Sequence, residues 1–470
     1  MLLGLTATSV ALFPMTEFGK LPQGSRLERI QQSPQYRDGK FHNQQETPMM
    51  TDKRGRIAAL WDFFFARPDT VKPDRPLPLI KTDLAKLDKQ QDLVVWLGHS
   101  SWFIQLGGKR ILIDPVFSHY AAPFAFLNKA FAGDYPWRAE DMPDIDTLVI
   151  SHDHWDHLDY PTLRALKPKI KQIVTPLGVG AHFEAWGFDP ALIHELDWQE
   201  KVSIDNELTV HALPARHFSG RGLTGNKTLW ASFMFVTPQR KVYYSGDTGY
   251  GPHFRQIGEQ FSDIDLAIME NGQYDEGWKY IHMMSEEAAQ ATEELRAKTM
   301  VPGHAGRFAL ANHSWDEPFR RIATASAGRS YQLLTPEMGQ ILEIYQLSNE
   351  QDVEGGDMSM PKDFMESLLE WVDGNMQRPL RIEEVARQSG YSKWYLQRMF
   401  SDWAGKSLGA YIRERKLQLA AEDLKNTEDK ILDISVRYGF DSQQSFTRTF
   451  GKRFNTSPGA YRREHEQPLN

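Results

Sequence analysis

The 470-residue sequence contains no cysteine. This absence excludes disulfides, cysteine-ligated zinc, iron–sulfur clusters and thiol catalysis, so any metal ion must be held by histidine, aspartate or glutamate. The sequence also lacks an apolar run of the roughly 20 residues that cross a bilayer. The apolar segment Met1–Pro14 is shorter, and no lysine or arginine precedes it. An exported chain is therefore disfavoured, and a weak membrane association of residues 1–17 stays open as an alternative.

Histidine is nearly missing from the C-terminal part of the chain: 14 of the 15 histidines precede residue 361. From Pro361 onward there are 18 Lys+Arg against 16 Asp+Glu, whereas the preceding residues have 36 against 46. A hydrophobic content of 41% and a charged content of 25% exclude a mainly disordered chain. The length and the two unlike compositions predict more than one domain.

Short apolar runs separated by turns and helices begin at Leu93, which is typical of a layered α+β domain. One helix is expected over Ser285–Ala297, with Pro161 in the first turn of another. Residues 346–360 are polar and acidic and predict a linker, and the remainder is helical. We therefore expect an N-terminal segment 1–17, a domain 18–345, a linker 346–360 and an all-α domain 361–465. The strands are expected at Leu93–Leu97, Trp102–Leu106, Arg110–Ile113, Thr147–Ile150, Gln172–Thr175, Leu208–Leu213, Ser232–Val236, Lys241–Tyr244, Leu266–Met269 and Thr299–Val301.

A dense cluster of histidine and aspartate follows the apolar run Thr147–Ile150. The segment Ser151-His-Asp-His-Trp-Asp-His contains His152, His154, Asp156 and His157. Imidazoles and carboxylates in a loop anchored by a strand can converge on borderline metal ions. Three further residues, each just past an apolar run, are candidate ligands: His217, Asp247 and His304.

The first domain resembles the metallo-β-lactamase-fold hydrolases, in particular the branch of N-acyl-phosphatidylethanolamine phospholipase D. The His/Asp loop, Trp96-Leu-Gly-His-Ser-Ser-Trp-Phe-Ile, Leu112-Ile-Asp-Pro-Val-Phe, Gly246-Asp-Thr-Gly-Tyr and Tyr280-Ile-His-Met-Met-Ser-Glu-Glu-Ala carry the resemblance. It implies a four-layer αβ/βα sandwich with a metal pair at one edge. One ion would be held by His152, His154 and His217, the other by Asp156, His157 and His304, with Asp247 bridging them.

The expected cofactors are two divalent ions, with zinc favoured by the ligand types. Such a pair can activate a shared water and stabilise an in-line displacement, so Asp156 and Asp247 are also candidate catalytic residues. The resemblance favours a small-molecule or lipid phosphodiester as substrate, with a lactone or another ester as the alternative. His282 is a candidate for contacting the substrate. His99 and Asp114 are expected to support the site. The aromatic segment Tyr120–Trp137 is expected to pack in the core, with admission of an acyl chain or contact with a membrane or a second subunit as the alternatives.

The C-terminal part contains two helix-turn-helix patterns separated by a long helix, Ser407–Leu424. Residues 361–464 resemble the AraC family, in particular activators of the MarA/SoxS/RamA type, through Ser392-Lys-Trp-Tyr-Leu-Gln-Arg-Met-Phe and Tyr438-Gly-Phe-Asp-Ser-Gln-Gln-Ser-Phe-Thr-Arg-Thr-Phe. Two such units on one spacer fit successive major-groove segments of promoter DNA. The resemblance implies base contacts from Trp394, Gln397, Arg398, Gln443, Gln444, Thr447 and Arg448. Candidate phosphate contacts are Lys393, Arg413, Lys416, Lys452 and Arg453.

The sequence thus predicts a bifunctional fusion of a dinuclear hydrolase and a transcriptional regulator, with RNA polymerase as a further partner. An alternative is a ligand-responsive regulator whose metal domain senses an inducer. A lactone or ester hydrolase with an uncoupled DNA-binding tail is the other alternative. A tail that contacts promoters predicts a cytoplasmic protein.

Overall fold

The computed structural model describes residues 15–51, 67–344, 362–378, 380–389, 396–397, 400, 403–440 and 442–465. Residues 1–14, the predicted linker 346–360, Lys393, Trp394 and Arg398 lie outside the described residues. The chain divides into an N-terminal unit, Met1–Glu354, and a C-terminal unit, Gly355–Asn470. Among the described residues, no helix has both the length and the apolar character needed to span a membrane.

An N-terminal arm, residues 15–51, precedes the sheets. It contains helix α1 (Gly24–Gln31) and a hairpin of β1 (Tyr36–Arg37) and β2 (Lys40–Phe41). Ion pairs from Arg26 to Glu195 and from Arg29 to Glu200 tie the arm to the rest of the unit.

The first of two seven-stranded sheets has the strand order β16-β3-β4-β5-β6-β7-β8. Strands β3 to β5 pair antiparallel, whereas β5 to β8 pair parallel. All four residues of β3 are buried, as expected for a strand covered on both faces. The strands are β3 (Leu93–Trp96), β4 (Trp102–Leu106), β5 (Lys109–Ile113), β6 (Thr147–Val149), β7 (Ile173–Pro176), β8 (Ile193–Leu196) and β16 (Ile341–Glu343).

The second sheet has the order β15-β14-β13-β12-β11-β10-β9. Strands β9 to β12 pair antiparallel, whereas β12 to β15 pair parallel. The carboxyl ends of β12, β13 and β14 therefore meet at one edge of the sheet. The strands are β9 (Lys201–Ser203), β10 (Thr209–Leu213), β11 (Ser232–Val236), β12 (Lys241–Tyr244), β13 (Ile264–Glu270), β14 (Ala297–Gly303) and β15 (Gln332–Leu333).

Helices complete the N-terminal unit. In α4, the buried residues His253, Phe254, Ile257 and Phe261 follow helical spacing and form one apolar stripe. The α-helices are α2 (Tyr160–Leu166), α3 (Gly180–Ala185), α4 (His253–Phe261), α5 (Ser285–Glu294) and α6 (Glu317–Ala325). Short 3-10 turns lie at Met15–Phe18, Asp69–Val71, Leu84–Lys86, Ala139–Asp141, Lys167–Lys169, Pro190–Leu192 and Glu276–Trp278.

The described part of the C-terminal unit is helical. In α9, the Ser407 hydroxyl accepts the Ala410 amide as an N-cap, and Ser442 caps α11 in the same way at Ser445. The helices are α7 (Lys362–Gly374), α8 (Ile382–Ser389), α9 (Leu408–Asn426), α10 (Ile431–Arg437), α11 (Gln443–Phe454) and α12 (Pro458–His465). The predicted fold class, an α/β sandwich of two sheets followed by a helical domain, is confirmed.

Most predicted strands agree with the structure to within two residues, and Pro161 does lie in the first turn of α2. The predicted helix Ser285–Ala297 was too long: α5 ends at Glu294 and β14 already begins at Ala297. Strands β8, β9, β15 and β16, which are short, were not predicted from the sequence.

Candidate metal centre and DNA-reading surface

All seven predicted metal ligands meet at one edge of the sandwich. The segment from His152 to His157 follows β6, whereas His217, Asp247 and His304 follow β10, β12 and β14. They form two groups whose candidate ligand atoms all lie within 4.8 Å of one another, and Asp247 belongs to both. The groups are His152, His154, His217 and Asp247, and Asp156, His157, Asp247 and His304.

In the first group, three imidazoles direct ring nitrogens at one another. His154 Nδ1 lies 2.9 Å from His152 Nε2 and 3.3 Å from His217 Nε2. The Oδ2 atom of Asp247 is 3.7 Å from His152 Nε2 and 3.8 Å from His217 Nε2. Three nitrogens and one carboxylate oxygen around a common point match the donor set of a divalent cation such as zinc.

The second group surrounds the same carboxylate. Asp247 Oδ2 lies 3.0 Å from His157 Nε2 and 3.2 Å from His304 Nε2, and Asp156 Oδ2 lies 3.1 Å from His304 Nε2. His157 Nε2 and Asp247 Oδ1 are buried without a hydrogen-bond partner among the described residues. Buried polar atoms left in this way fit a bound cation, because metal ligation would satisfy them.

The electrostatics of the second group also favour a positive charge. Burial opposes a charged imidazole at His157 and His304, yet the surrounding carboxylates, Asp247 first, raise the pKa of both side chains, to about 10 for His304. Asp156 and Glu270 add to this effect at His304. A site with this surplus of negative charge stabilises a cation at its centre.

Asp114 orients His157. Its carboxylate accepts hydrogen bonds from His157 Nδ1 (2.8 Å), the Ser151 amide (2.8 Å), the Ser151 hydroxyl (2.6 Å) and the Tyr244 hydroxyl (2.6 Å). With Nδ1–H donated to Asp114, the lone pair of His157 Nε2 faces the second group. The predicted supporting position of Asp114 is thereby explained.

His99 supports the site through Asp156. Its Nε2 lies 2.9 Å from Asp156 Oδ2, and its backbone carbonyl accepts the His304 amide at 3.0 Å. Burial lowers the pKa of His99 to about 4. A neutral imidazole that donates to Asp156 leaves the carboxylate negative and held in place.

His217 is held from two sides. Its Nδ1 donates to the Ile281 carbonyl at 2.9 Å, which leaves Nε2 for the first group. Asn43 of the N-terminal arm pairs with its backbone in both directions: Asn43 Nδ2 donates to the His217 carbonyl at 2.8 Å, and the His217 amide donates to Asn43 Oδ1 at 3.0 Å. The sequence analysis did not identify Asn43, because nothing in the spacing of residues connects it with His217.

Glu270 is the functional candidate that the sequence analysis missed. Its side chain is fully buried, Oε1 contacts His282 Nδ1 and lies 3.4 Å from His304 Nδ1, and Oε2 accepts the Thr248 amide at 2.8 Å. Together with Asp247, these residues form a third group of candidate ligands. The signal was present, since Glu270 directly follows the predicted strand Leu266–Met269.

His282, the predicted substrate-contacting residue, lies at the edge of both groups. Its ring centre is 5.0 Å from that of His217 and 5.1 Å from that of His304, and its side chain is 12% exposed. With Nδ1 against Glu270, Nε2 is the ring nitrogen left for a bound molecule.

The remaining acid of the loop, Asp153, has a structural position. Its carboxylate accepts from Thr228 (2.8 Å) and the Gly220 amide (2.7 Å) and contacts His182 (3.1 Å). The buried Arg221 guanidinium donates to the Asp153 carbonyl at 3.0 Å. These bonds fix the backbone of the ligand loop.

In the C-terminal unit, α11 presents four predicted base-contacting residues. Gln443, Gln444 and Arg448 are exposed and Thr447 is half-buried, whereas Phe446 and Phe450 of the same helix are buried. The spacing i, i+1, i+4, i+5 places the four on one face. Gln397 is half-buried.

Of the predicted phosphate contacts, Arg413, Lys452 and Arg453 are exposed. The prediction for Lys416 was wrong. Its side chain is buried, and its ammonium donates to the backbone carbonyls of Arg378 and Tyr438. A lysine bound in this way cannot reach a phosphate, because the long amphipathic helix turns this position inward.

A sandwich of two mixed sheets with paired His/Asp groups at one edge defines a metal-dependent hydrolase class, and comparisons with known proteins agree. A family model for a beta-lactamase superfamily domain matches residues 109–305, and a model for a helix-turn-helix domain matches residues 385–464. An uncharacterized protein of Mycobacterium tuberculosis is 39% identical over 314 residues, which is 66% of this chain and 84% of that protein. The chain belongs to the metallo-β-lactamase superfamily and carries a C-terminal helix-turn-helix domain.

Other similarities are partial. A protein named outer membrane protein RomA of Klebsiella pneumoniae is 70% identical over 106 residues, 23% of this chain and 80% of that protein. Igni18, a metallo hydrolase of Ignicoccus hospitalis, covers 54% of this chain and 97% of its own at 20% identity and a TM-score of 0.41. A transcriptional regulator with an AraC-type DNA-binding domain from Chromobacterium violaceum covers 23% and 96% at 27% identity and a TM-score of 0.22.

Proposed function

We propose that the N-terminal unit hydrolyses a phosphodiester at a dinuclear centre, with His152, His154 and His217 on one ion and Asp156, His157 and His304 on the other. The observation that carries the proposal is the pair of ligand groups sharing the single carboxylate of Asp247. Two ions bound there, which we propose to be zinc, would activate a water and neutralise charge that develops on the substrate. A phosphodiester is preferred to a lactone because of the resemblance to the phospholipase D branch.

The residues of this chain supply the orientation. Asp247 lies between both groups and would keep the two ions close. Asp156, positioned by His99, would hold the second ion, so both aspartates belong to the catalytic set. His282 would donate from Nε2 to a substrate oxygen, because Glu270 occupies its Nδ1. No protein nucleophile is required.

The test measures metal content and hydrolysis together. The purified full chain is loaded with zinc and assayed with bis(p-nitrophenyl) phosphate and a series of acyl-homoserine and aliphatic lactones. Asp247→Ala should lower the metal content from two ions per chain and reduce turnover by at least a hundredfold. The matched control is His194→Gln, which replaces a histidine that contacts Gln172 away from the two groups. This variant should keep two ions per chain and the wild-type turnover. An Asp247→Ala chain with two ions and normal turnover would contradict the assignment, and turnover of lactones alone would replace the substrate class.

We further propose that the C-terminal unit binds promoter DNA through Gln443, Gln444, Thr447 and Arg448 on α11, with Gln397, Trp394 and Arg398 reading a second segment. Exposed amide and guanidinium groups on one helix face match the donors and acceptors of adenine and guanine in the major groove. Arg413, Lys452 and Arg453 would contact phosphates, as would Lys393. RNA polymerase is the proposed partner of the bound activator.

A DNA-binding unit requires access to the nucleoid, so we propose a cytoplasmic location, in contrast to the name of the Klebsiella relative. Cell fractionation with an antibody to the full chain tests this proposal; recovery in the outer membrane would contradict it.

Whether the two functions are coupled is tested by measuring DNA affinity with and without zinc and substrate. Unchanged affinity would support an uncoupled fusion, and a shift would support a ligand-responsive regulator.

A further inference from the structure

The described residues of the C-terminal unit pack around two separate cores that share helix α9. The first core combines α7 and α8 with Leu408 and Ile412 from the beginning of α9. The second combines α10 and α11 with residues from Leu417 to Leu424. Leu419 packs against both cores, so the two cores overlap along α9 between Ile412 and Leu419, and Lys416 lies within this interval.

Lys416 connects both halves of the unit. Its side chain is 7% exposed, and its ammonium donates to the Arg378 carbonyl at 2.8 Å and to the Tyr438 carbonyl at 3.0 Å. Arg378 lies between α7 and α8, and Tyr438 directly follows α10. A buried ammonium is stable only when its N–H groups are bonded, so the two carbonyls hold this side chain and it holds both turns.

Side-chain packing between the halves is incomplete. A groove of about 520 Å³, open to solvent, lies along α9, and its walls include Ile382 from the first half and Phe440 and Thr449 from the second. Because side chains of the two halves do not pack against each other across this groove, the two carbonyl bonds of Lys416 contribute to the connection beside it.

No carboxylate pairs with the Lys416 ammonium among the described residues, so its strong contacts are the two backbone carbonyls. These carbonyls belong to the backbone of the two turns, whereas a carboxylate partner on a side chain could rotate away. The bond pattern therefore fixes a distance between the two turns rather than supplying charge to the surface.

We propose that Lys416 is a positioning residue that sets the spacing between the two helix-turn-helix halves, and thereby the separation of the two DNA segments that one chain accepts. The inference rests on the proposed DNA binding of the C-terminal unit. One added base pair moves the segments apart by about 3.4 Å and rotates them by about a tenth of a turn. A rigid pair of reading units should therefore reject altered spacing, and a loosened pair should accept it.

The experiment uses the full chain. The wild-type protein first selects a two-part site from a library of random DNA duplexes. Affinity is then measured on the selected site, on sites with one base pair added or removed between the parts, and on each part alone. The variants are Lys416→Met, Lys416→Arg and, as a matched control, Lys425→Met, which removes a half-exposed lysine from the same helix.

We expect the wild type to lose about tenfold in affinity when the spacing changes, since one reading unit is then misplaced. Lys416→Met should bind the selected site about tenfold more weakly, bind each part alone as the wild type does, and discriminate between spacings by less than about threefold. Lys416→Arg, which retains N–H donors, should recover part of the discrimination, and Lys425→Met should match the wild type.

Two outcomes overturn the inference while DNA binding stands: a Lys416→Met chain with the wild-type spacing ratio, or one that loses affinity equally for each part alone, as general unfolding would produce. Thermal melting followed by circular dichroism checks that the variant is folded. If Lys416→Met melts below the assay temperature, Lys416→Gln replaces it under the same criteria. A wild-type chain that selects no two-part site would contradict the proposed DNA function itself.

Discussion

Single residues decide which nitrogen of each candidate ligand faces the metal centre. Asp114 takes Nδ1–H of His157, and the Ile281 carbonyl takes that of His217, so the two Nε2 atoms face the two groups. Glu270 lies in the same position for His304 and His282. Such outer partners keep ligand rings oriented before an ion binds.

We expect Glu270→Gln to weaken metal binding and activity by about 10- to 100-fold, because the neutral amide has one acceptor oxygen instead of two. It cannot both face His282 and His304 with an oxygen and accept the Thr248 amide. Zinc affinity is measured by competition with a chromophoric chelator, and turnover is measured separately. The exposed Glu259→Gln on α4 is the control. Wild-type zinc affinity in Glu270→Gln would show that Glu270 does not orient His304.

For the DNA-reading surface, Arg448→Ala should cost about 1–3 kcal/mol on the selected site and relax the base preference at one position. Lys452→Ala should weaken binding about equally on cognate and scrambled duplexes. The slope of the logarithm of the binding constant against the logarithm of the salt concentration should fall in magnitude by about one unit. Salt-titrated binding of both variants distinguishes the roles. Equal losses of Arg448→Ala on both duplexes would indicate that this arginine does not read bases.

At the level of elements, the N-terminal arm contributes to the metal centre that the sheets build. Asn43 bonds the His217 backbone in both directions, and Trp230 Nε1 also donates to Asn43 Oδ1 at 3.0 Å. The carbonyl of Glu17 accepts from Arg221, whose guanidinium also holds the loop of His152 to His157. The arm therefore bonds segments that carry ligands of the first group.

Asn43→Ala should leave the buried amide and carbonyl of His217 without their side-chain partner, which costs about 1–3 kcal/mol of stability for each unsatisfied group. The Trp230 indole keeps its bond to the Ala215 carbonyl. We expect a loss of zinc from the first group before the second, so that one ion per chain remains at intermediate chelator concentration. Metal analysis after stepwise dialysis measures this. Gln44→Ala, an exposed neighbour, is the control, and an unchanged two-ion stoichiometry would contradict the role of the arm.

For the whole molecule, the division into two units predicts two responses to metal removal. A chelator should lower the melting temperature of the N-terminal unit by several degrees, since ligation stabilises the folded state by mass action. The helical transition of the C-terminal unit should not move, because its described part contains no candidate metal group. Calorimetry with and without chelator checks both. A single transition that shifts as a whole would indicate that the two units unfold together.

Patterns of neighbouring residues along the chain were sufficient to predict most of the strands and the candidate metal ligands. The apolar runs located most strands, and the rule that ligands follow strand ends identified His217, Asp247 and His304 one by one. The same rule, applied to Leu266–Met269, would have identified Glu270. The short strands β8, β9, β15 and β16 were not predicted, because two to four residues carry too little periodicity to distinguish a strand from a loop.

The sequence by itself determined the fold class and predicted a two-part organisation and the residue types at the candidate metal centre, because these depend on periodicity and on dense local motifs. The tertiary structure alone decided which partners orient those residues. Asn43 and His217 are 174 positions apart and meet only after folding. Lys416 is a basic residue of the kind that contacts DNA phosphates at a protein surface. Its position on α9 between two cores instead directs its ammonium toward two backbone carbonyls. Contacts between distant segments leave no periodic signal, so their roles follow from packing rather than from sequence.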